Sequence, residues 1–408
     1  MHTEMRRKNL SRNSVGANFF AFTWQNRPKK SMRMNSHLRR AMPNCGLRES
    51  FKSVPVRPII RANHCRGRSY SAQTVYPMVP MKIAITGDVM LGRLVNQAAI
   101  EIPDFDPAYV WGDCMQPLLA ADLRLINLEC VIATYGQKWR PHEKAFHFRA
   151  HPRAIEVLRA ARIDFASLAN NHILDYDAEA LRECLRLLNV TGIAHAGAGE
   201  SRQQAQKPAI IKRNGLTMEI ISLTDNEPEW EAKDAAPGTF YIDYDSGGLR
   251  PQYRAYVQQA MQDARRASDI LVISAHVGPN WGAPSQAIRA LAHELIDMGA
   301  DCYWGHSNHT PQGMEIYCGK PILYATGDFI DDYAVAPRER NDLSFLFVLD
   351  WNSPDWELTM VPTKISDFQV NRVSGEEAAF VMDRMENLSQ AFNTSMRRDG
   401  QTLTVSSK

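Results

Sequence analysis

Five separate hydrophobic runs in this 408-residue chain each stop at a residue able to offer a lone pair to a cation. Lys82 to Thr86 (KIAIT) ends at Gly87-Asp88, Leu123 to Leu128 (LRLINL) ends at Glu129, and Asp164 to Leu168 runs into Asn170-Asn171-His172. Ile270 to Ser274 leads to His276, and Asp301 to Trp304 leads to Gly305-His306, with His309 three residues on. Short runs of this composition read as buried strands. In α/β sheets, ligands gather outside the carboxyl ends of the strands. Single examples are ordinary turn chemistry, since Asp and Asn favour turns and caps. Five together point to one convergent site.

Helical periods separate these strands. Arg153 to Ala161 follows Pro152, a favoured first-turn residue, and Ala178 to Leu188 puts Leu181, Leu185 and Leu188 on one face. Gln252 to Ala267 reads as a helix, and Gln286 to Met298 as an amphipathic helix closed by Gly299. Met218 to Leu223, Ile322 to Ala325 and Phe345 to Leu349 read as further strands, the last of them as the final core strand. This alternation predicts a layered α/β domain over residues 81–375. Residues 376–408 are expected to add a helix, Glu377 to Phe392, and a polar tail.

Charge divides the chain where the first strand begins. Residues 1–80 hold 12 Arg and 4 Lys against Glu4 and Glu49, so they carry +14 and the remainder −12. Hydrophobic periodicity is absent there, and the segment is expected to be a disordered basic leader, either untranslated or a targeting segment. Nucleic-acid binding through it is the weakest reading. No stretch approaches the roughly 18 consecutive apolar residues of a membrane helix, so no transmembrane segment is expected. Seven scattered cysteines form no CxxC pair or framework and read as reduced thiols, which points to a cytoplasmic location.

Asp88, Glu129, Asn171, His276, His306 and His309 supply the carboxylate, amide and imidazole donors that a pair of divalent cations requires. Such a site activates water and stabilises charge on a phosphoryl or carbonyl oxygen. Glu129 follows a strongly apolar strand, where an uncompensated carboxylate is costly, so contact with metal is its most economical role.

The segments GDVMLGR (87–93), NLE (127–129), ANNHILD (169–175), HVG (276–278) and GHSNH (305–309) resemble the motif series of the CapA family. PQGMEIY (311–317) and GKPILYATGDFIDDY (319–333) fit the same series. CapA proteins act in poly-γ-glutamate or capsule synthesis and belong to the calcineurin-like metallophosphoesterase superfamily. The resemblance covers about 81–350 and implies a four-layer α/β/β/α metallophosphoesterase-like sandwich. It also implies one or two divalent ions, Mn, Fe, Zn or Co. Asp88 would bind the first metal, and Glu129 would bridge both. Asn171, His276 and His306 would hold the second, with His309 returning to the first. His172 would act on the leaving group, with Asp175 orienting it, and Arg93 would meet a substrate carboxylate or phosphate.

The chain departs from the family pattern at several of these motifs. Met90 stands where superfamily phosphatases usually have a histidine, and Glu129 replaces an Asp. Ser307 and Asn308 interrupt the last histidine motif, HVGPNW replaces the family's HWGEY, and GDF at 327–329 replaces GNF. Asp328, Asp331 and Asp332 read equally as a ligand-positioning cluster and as a solvated loop, and Lys144 and Phe148 equally as site or loop residues.

The expected function is metal-dependent hydrolysis or transfer at a phosphoester or γ-glutamyl/amide bond in poly-γ-glutamate or capsule metabolism. The alternative is a non-catalytic, polymer-binding component of a poly-γ-glutamate synthesis complex. Expected partners are a small-molecule or poly-γ-glutamate substrate and capsule-synthesis proteins, not nucleic acid.

Overall fold

A computed structural model describes residues 80–141 and 144–407, all within one compact unit. The basic leader, 1–80, lies outside the described residues except for its last position. In chain order the main elements begin with β1 Met81–Val89, β2 Leu123–Leu128, α1 Ala154–Ala160, β3 Phe165–Ser167, α2 Asp177–Thr191 and β4 Ala194–Ala196. Then come β5 Ala209–Arg213, β6 Leu216–Thr224, α3 Pro251–Arg265, β7 Ile270–His276, α4 Gln286–Asp297 and β8 Cys302–His306. The last group is β9 Met314–Tyr317, β10 Lys320–Leu323, β11 Asp328–Ile330, β12 Leu343–Asn352, β13 Asp355–Ser366, β14 Gln369–Arg372, α5 Gly375–Gln390, β15 Arg397–Asp399 and β16 Thr402–Ser406.

Two sheets carry the fold. The larger has ten strands in the order β15-β16-β13-β12-β1-β2-β3-β4, with β11 also paired to β1 and β14 to β13. The smaller has six, in the order β9-β10-β8-β7-β6-β5. Its central strands are parallel and nearly all buried, which is why their sequences read as continuous apolar runs without alternation.

Alternate side chains then divide between two faces. Ile83, Ile85, Leu125 and Phe165 of the larger sheet meet Ile220, Val272 and Trp304 of the smaller in a shared core. On the larger sheet's other face Ala84, Ile126 and Ala166 pack against Val157 and Leu158 of α1 and Leu181 and Leu188 of α2. On the smaller sheet's outer face Leu271 and Ile273 pack against Val257 of α3 and Leu291 and Leu295 of α4. The layering is therefore α/β/β/α, as the resemblance implies. Each large aliphatic chain so buried contributes about 1.5–3 kcal/mol of transfer free energy, so the three apolar layers hold the two sheets in one alignment.

Local signals agree with this architecture. The Ser285 side chain caps α4 by accepting from the Ile288 amide, and Gly299 takes a φ of 115° just beyond its end. The C-terminal segment differs from the sequence expectation. Phe345 to Leu349 is not the final core strand, because β13 to β16 follow it. What reads as a polar tail forms a hairpin whose β16 pairs with β13 and buries Leu403 and Val405. No helix among the described residues is long and apolar enough to cross a membrane. Cys114, Cys130, Cys184 and Cys302 are buried free thiols.

Candidate metal centre

Strand register assembles the site. In the parallel pairing of β7 with β8, His276 lies opposite His306, so both imidazoles leave the sheet at one edge. In the pairing of β1 with β2, Asp88 lies opposite Asn127, and the Glu129 amide donates to the Val89 carbonyl. The pairing of β1 with β11 sets Asp88 opposite Asp328. That last approach depends on glycine: a Cβ on Gly87 would fall 2.0 Å from the Gly327 carbonyl oxygen. The Asp88 amide instead donates to that oxygen at 2.9 Å.

Two groups of potential ligand atoms result, each within 4.8 Å of one another: Asp88, His276 and His306, and Asp88, Glu129 and Asp328. All five residues are buried. The residue common to both groups is Asp88, whereas Glu129 belongs to one. Asn171 Oδ1 lies 3.1 Å from His276 Nε2, and His276 Nδ1 faces His306 Nδ1 at 2.8 Å. His309 Nδ1 lies 2.9 Å from Asp328 Oδ1.

These groups ionise abnormally because they are dry and crowded. Burial pushes the Asp88 carboxyl up to about 7. Glu129 is held well above the carboxylate range by burial first and by the charges of Asp88 and Asp328 next. Asp328 is raised by burial and by Asp88, and Asp331 by burial and by Asp328. The imidazoles shift the other way. Burial lowers His306 to about 3, and burial with the neighbouring His306 takes His276 well below its ordinary value. Among the described residues no Lys or Arg pairs with Asp88, Glu129 or Asp328.

His172 is held from two sides. Its Nδ1 lies 2.6 Å from Asp175 Oδ2, and its ring stacks on Phe148 at 3.7 Å. A carboxylate oxygen facing Nδ1 makes that nitrogen the donor of the pair. Asp175 is wholly buried and is also bonded by the Phe148 amide at 2.6 Å and the Lys144 ammonium at 3.0 Å. Burial lowers the His172 pKa despite Asp175. Arg93 lines a cleft of about 550 Å³ together with Glu129, Asn171, His172 and His309. Its φ is 50°, its guanidinium lies over the Phe146 ring at 5.1 Å, and its Nε lies 3.3 Å from Asp332.

The structure thus brings the six expected ligands near one another and His172 onto Asp175, and of these residues Glu129, Asn171, His172 and His309 line one cleft with Arg93. Sequence reasoning left several contributors unassigned. Asn127 Nδ2 donates to Asp88 Oδ1 at 2.8 Å, and Asn170 links Asn127 to the His172 amide. Both asparagines lie inside motif runs, which was the available signal. Asp225 accepts from the Gly278 amide and from Tyr244 Oη, fixing the loop after His276. Tyr333 Oη donates to Glu129 Oε2 at 3.2 Å. Lys144, left between two readings by the sequence, bonds the Asn171 carbonyl and Glu227 as well as Asp175, at the cleft wall.

A family model described as bacterial capsule synthesis protein PGA_cap matches residues 82–333. The chain is similar to a probable polyglutamine synthesis accessory protein of Mycobacterium tuberculosis (strain ATCC 25618 / H37Rv), 34% identical over 321 residues, covering 75% of this chain and 83% of the relative. It is also similar to the PGA biosynthesis protein CapA of Bacillus subtilis (strain 168), 27% identical, covering 62% of this chain and 63% of the relative. A crystal structure of a calcineurin-like phosphoesterase from Bacillus subtilis aligns with 78% of this chain and 96% of its own, at 12% identity and a TM-score of 0.37.

Proposed function

The chain belongs to the bacterial capsule synthesis family PGA_cap, and from that premise we propose that it is a metal-dependent hydrolase or transferase of capsule or polyglutamate metabolism. Its bond would be a phosphoester or a γ-glutamyl amide. The observation that carries this reading is the packing of three buried carboxylates, Asp88, Glu129 and Asp328, in one space where only histidines, and no Lys or Arg among the described residues, pair with them. An uncompensated buried charge costs several kcal/mol, and bound cations supply the missing compensation.

The donor set fits divalent metal. Asp328 is wholly buried with the Asp331 carboxyl against it, a crowding of acids that a cation relieves, and carboxylates beside imidazoles suit first-row ions. Asp88, Glu129 and Asp328 would hold one cation, and Asp88, His276 and His306 the other, with Asn171 Oδ1 beside the second group. Bound cations supply an activated water and neutralise charge that develops on a phosphoryl or carbonyl oxygen. The chain's own residues do the rest. Asp175 fixes the His172 ring through Nδ1, so His172 exchanges a proton with the leaving group through Nε2. Arg93, which lines the cleft with its guanidinium over aromatic rings and its Nε beside Asp332, grips a substrate carboxylate or phosphate.

The test is His172→Ala in the 408-residue chain, assayed on phosphoester and γ-glutamyl substrates with metal content measured in parallel. Turnover is expected to fall by about 10²–10⁴-fold with metal retained. Unchanged turnover would remove His172 from the mechanism. A wild type that holds metal, binds polyglutamate and turns over nothing would favour the assembly role instead.

A further inference from the structure

The two ligand groups differ in kind, and that difference selects the ion. We infer that Asp328 makes one cation position an all-oxygen site for a hard ion such as Mn²⁺ or Mg²⁺, while the His276–His306 position takes a borderline ion such as Zn²⁺. This rests on the metal reading above and assigns each position its own class of cofactor.

Asp328 is held at the shared edge by the backbone. Its register opposite Asp88 in the β1–β11 pair follows from the close contact of Gly87 with Gly327. Its side chain is fully buried, with Oδ1 beside His309 Nδ1 and the Asp331 and Asn341 side chains within hydrogen-bonding reach of its carboxyl. Asp88 and Glu129 complete the group with oxygens only, and Tyr333 Oη stands next to Glu129.

Two nitrogen or sulfur donors that could have softened this position are turned elsewhere. His309 spends Nδ1 on Asp328 and sets Nε2 3.1 Å from Asn280 Nδ2, so it orients the carboxylate from outside. The Met90 thioether accepts from the Gly92 amide at 3.0 Å. The other group has two imidazoles, and Ser274 Oγ fixes the His306 ring at Nε2. Oxygen-only sets suit Mg²⁺ and Mn²⁺, whereas imidazole suits Zn²⁺, Fe²⁺ and their neighbours.

The test loads metal-free 408-residue protein with one equivalent of Zn²⁺ and then an excess of Mn²⁺, and counts both by elemental analysis, for wild type and Asp328→Asn. Wild type is expected to hold both ions. Asp328→Asn is expected to keep Zn²⁺ and to weaken Mn²⁺ binding by more than about 100-fold, the upper range for losing an outer-shell partner. Electron spin-echo spectra of wild-type Mn²⁺, with Zn²⁺ in the other position, should lack the coupling of a directly bonded imidazole nitrogen. That spectrum decides the matter even if the variant folds poorly. Unchanged Mn²⁺ affinity in Asp328→Asn, a ligated-nitrogen signal, or a wild type loaded with Zn²⁺ alone overturns the inference and leaves the metal centre standing. A wild type that takes neither ion overturns both this inference and the functional reading beneath it.

Discussion

Asp88→Asn is expected to empty both cation positions at once, and yet to make the metal-free protein more stable. Asp88 is the residue common to both ligand groups, so losing one anionic oxygen weakens each. In the metal-free state the same carboxylate is a burden. Burial lifts it from 3.8 to about 7, which corresponds to about 4 kcal/mol against ionising it where it sits. An amide of equal size removes that cost above pH 7 and still accepts from Asn127 Nδ2. It also relieves Glu129 and Asp328, whose upward shifts both include the charge of Asp88. Calorimetric melts with and without chelator check this. Wild type should gain stability on metal addition, about 2.7 kcal/mol for each site at a hundredfold excess over Kd. The variant should gain none, and its chelated form should melt above chelated wild type at pH 8. A variant that keeps both ions, or whose chelated form melts lower, would show that Asp88 is not the shared ligand.

Chelated wild type should lose stability as pH rises above about 6.5, while the metal-loaded protein does not. Glu129, Asp328 and Asp331 sit well above the carboxylate range, and Asp88 reaches about 7. The unfolded chain has already released these protons above about pH 5, so the folded state binds more of them, and stability falls as pH climbs through the folded values. The histidines act in the opposite sense and in another window. His276 and His306 are depressed by burial, so their contribution is complete above the unfolded value of 6.5 and is lost as pH falls below it. Above 6.5 the carboxylates alone set the slope, up to about 1.4 kcal/mol per pH unit for each titrating group. Bound cations keep the carboxylates ionised and flatten the profile. Urea midpoints at pH 6.5, 7.5 and 8.5, chelated and loaded, measure the difference. A flat or rising chelated profile would contradict the account.

Much of this centre was legible in the sequence because parallel strands announce themselves. A strand buried on both faces is a continuous apolar run, and where it stops at Asp, Glu or His the break is visible without any knowledge of the fold. Asp88, Glu129, His276 and His306 all sit at such breaks. Asp328 does not. Its strand is three residues long, too short for any period, and its partner Asp88 lies 240 positions earlier. Nothing local says that Gly87 and Gly327 will touch. That Asp88, not Glu129, belongs to both candidate groups was hidden for the same reason, since it depends on which oxygens converge and not on which residues are present. The C-terminal hairpin was missed because Thr402–Ser406 is mostly polar and short, so its buried Leu403 and Val405 left little pattern. β13 was obscured by Pro362, a residue that argues against a strand interior.

Elemental analysis of the purified 408-residue chain is the most direct measurement of the central claim. Two ligand groups predict about two equivalents of divalent metal in wild type, and near none in Asp88→Asn prepared in parallel. A wild type without stoichiometric metal, even after reconstitution, would mean that the buried carboxylates are compensated by protons, and the hydrolytic reading would fall with it.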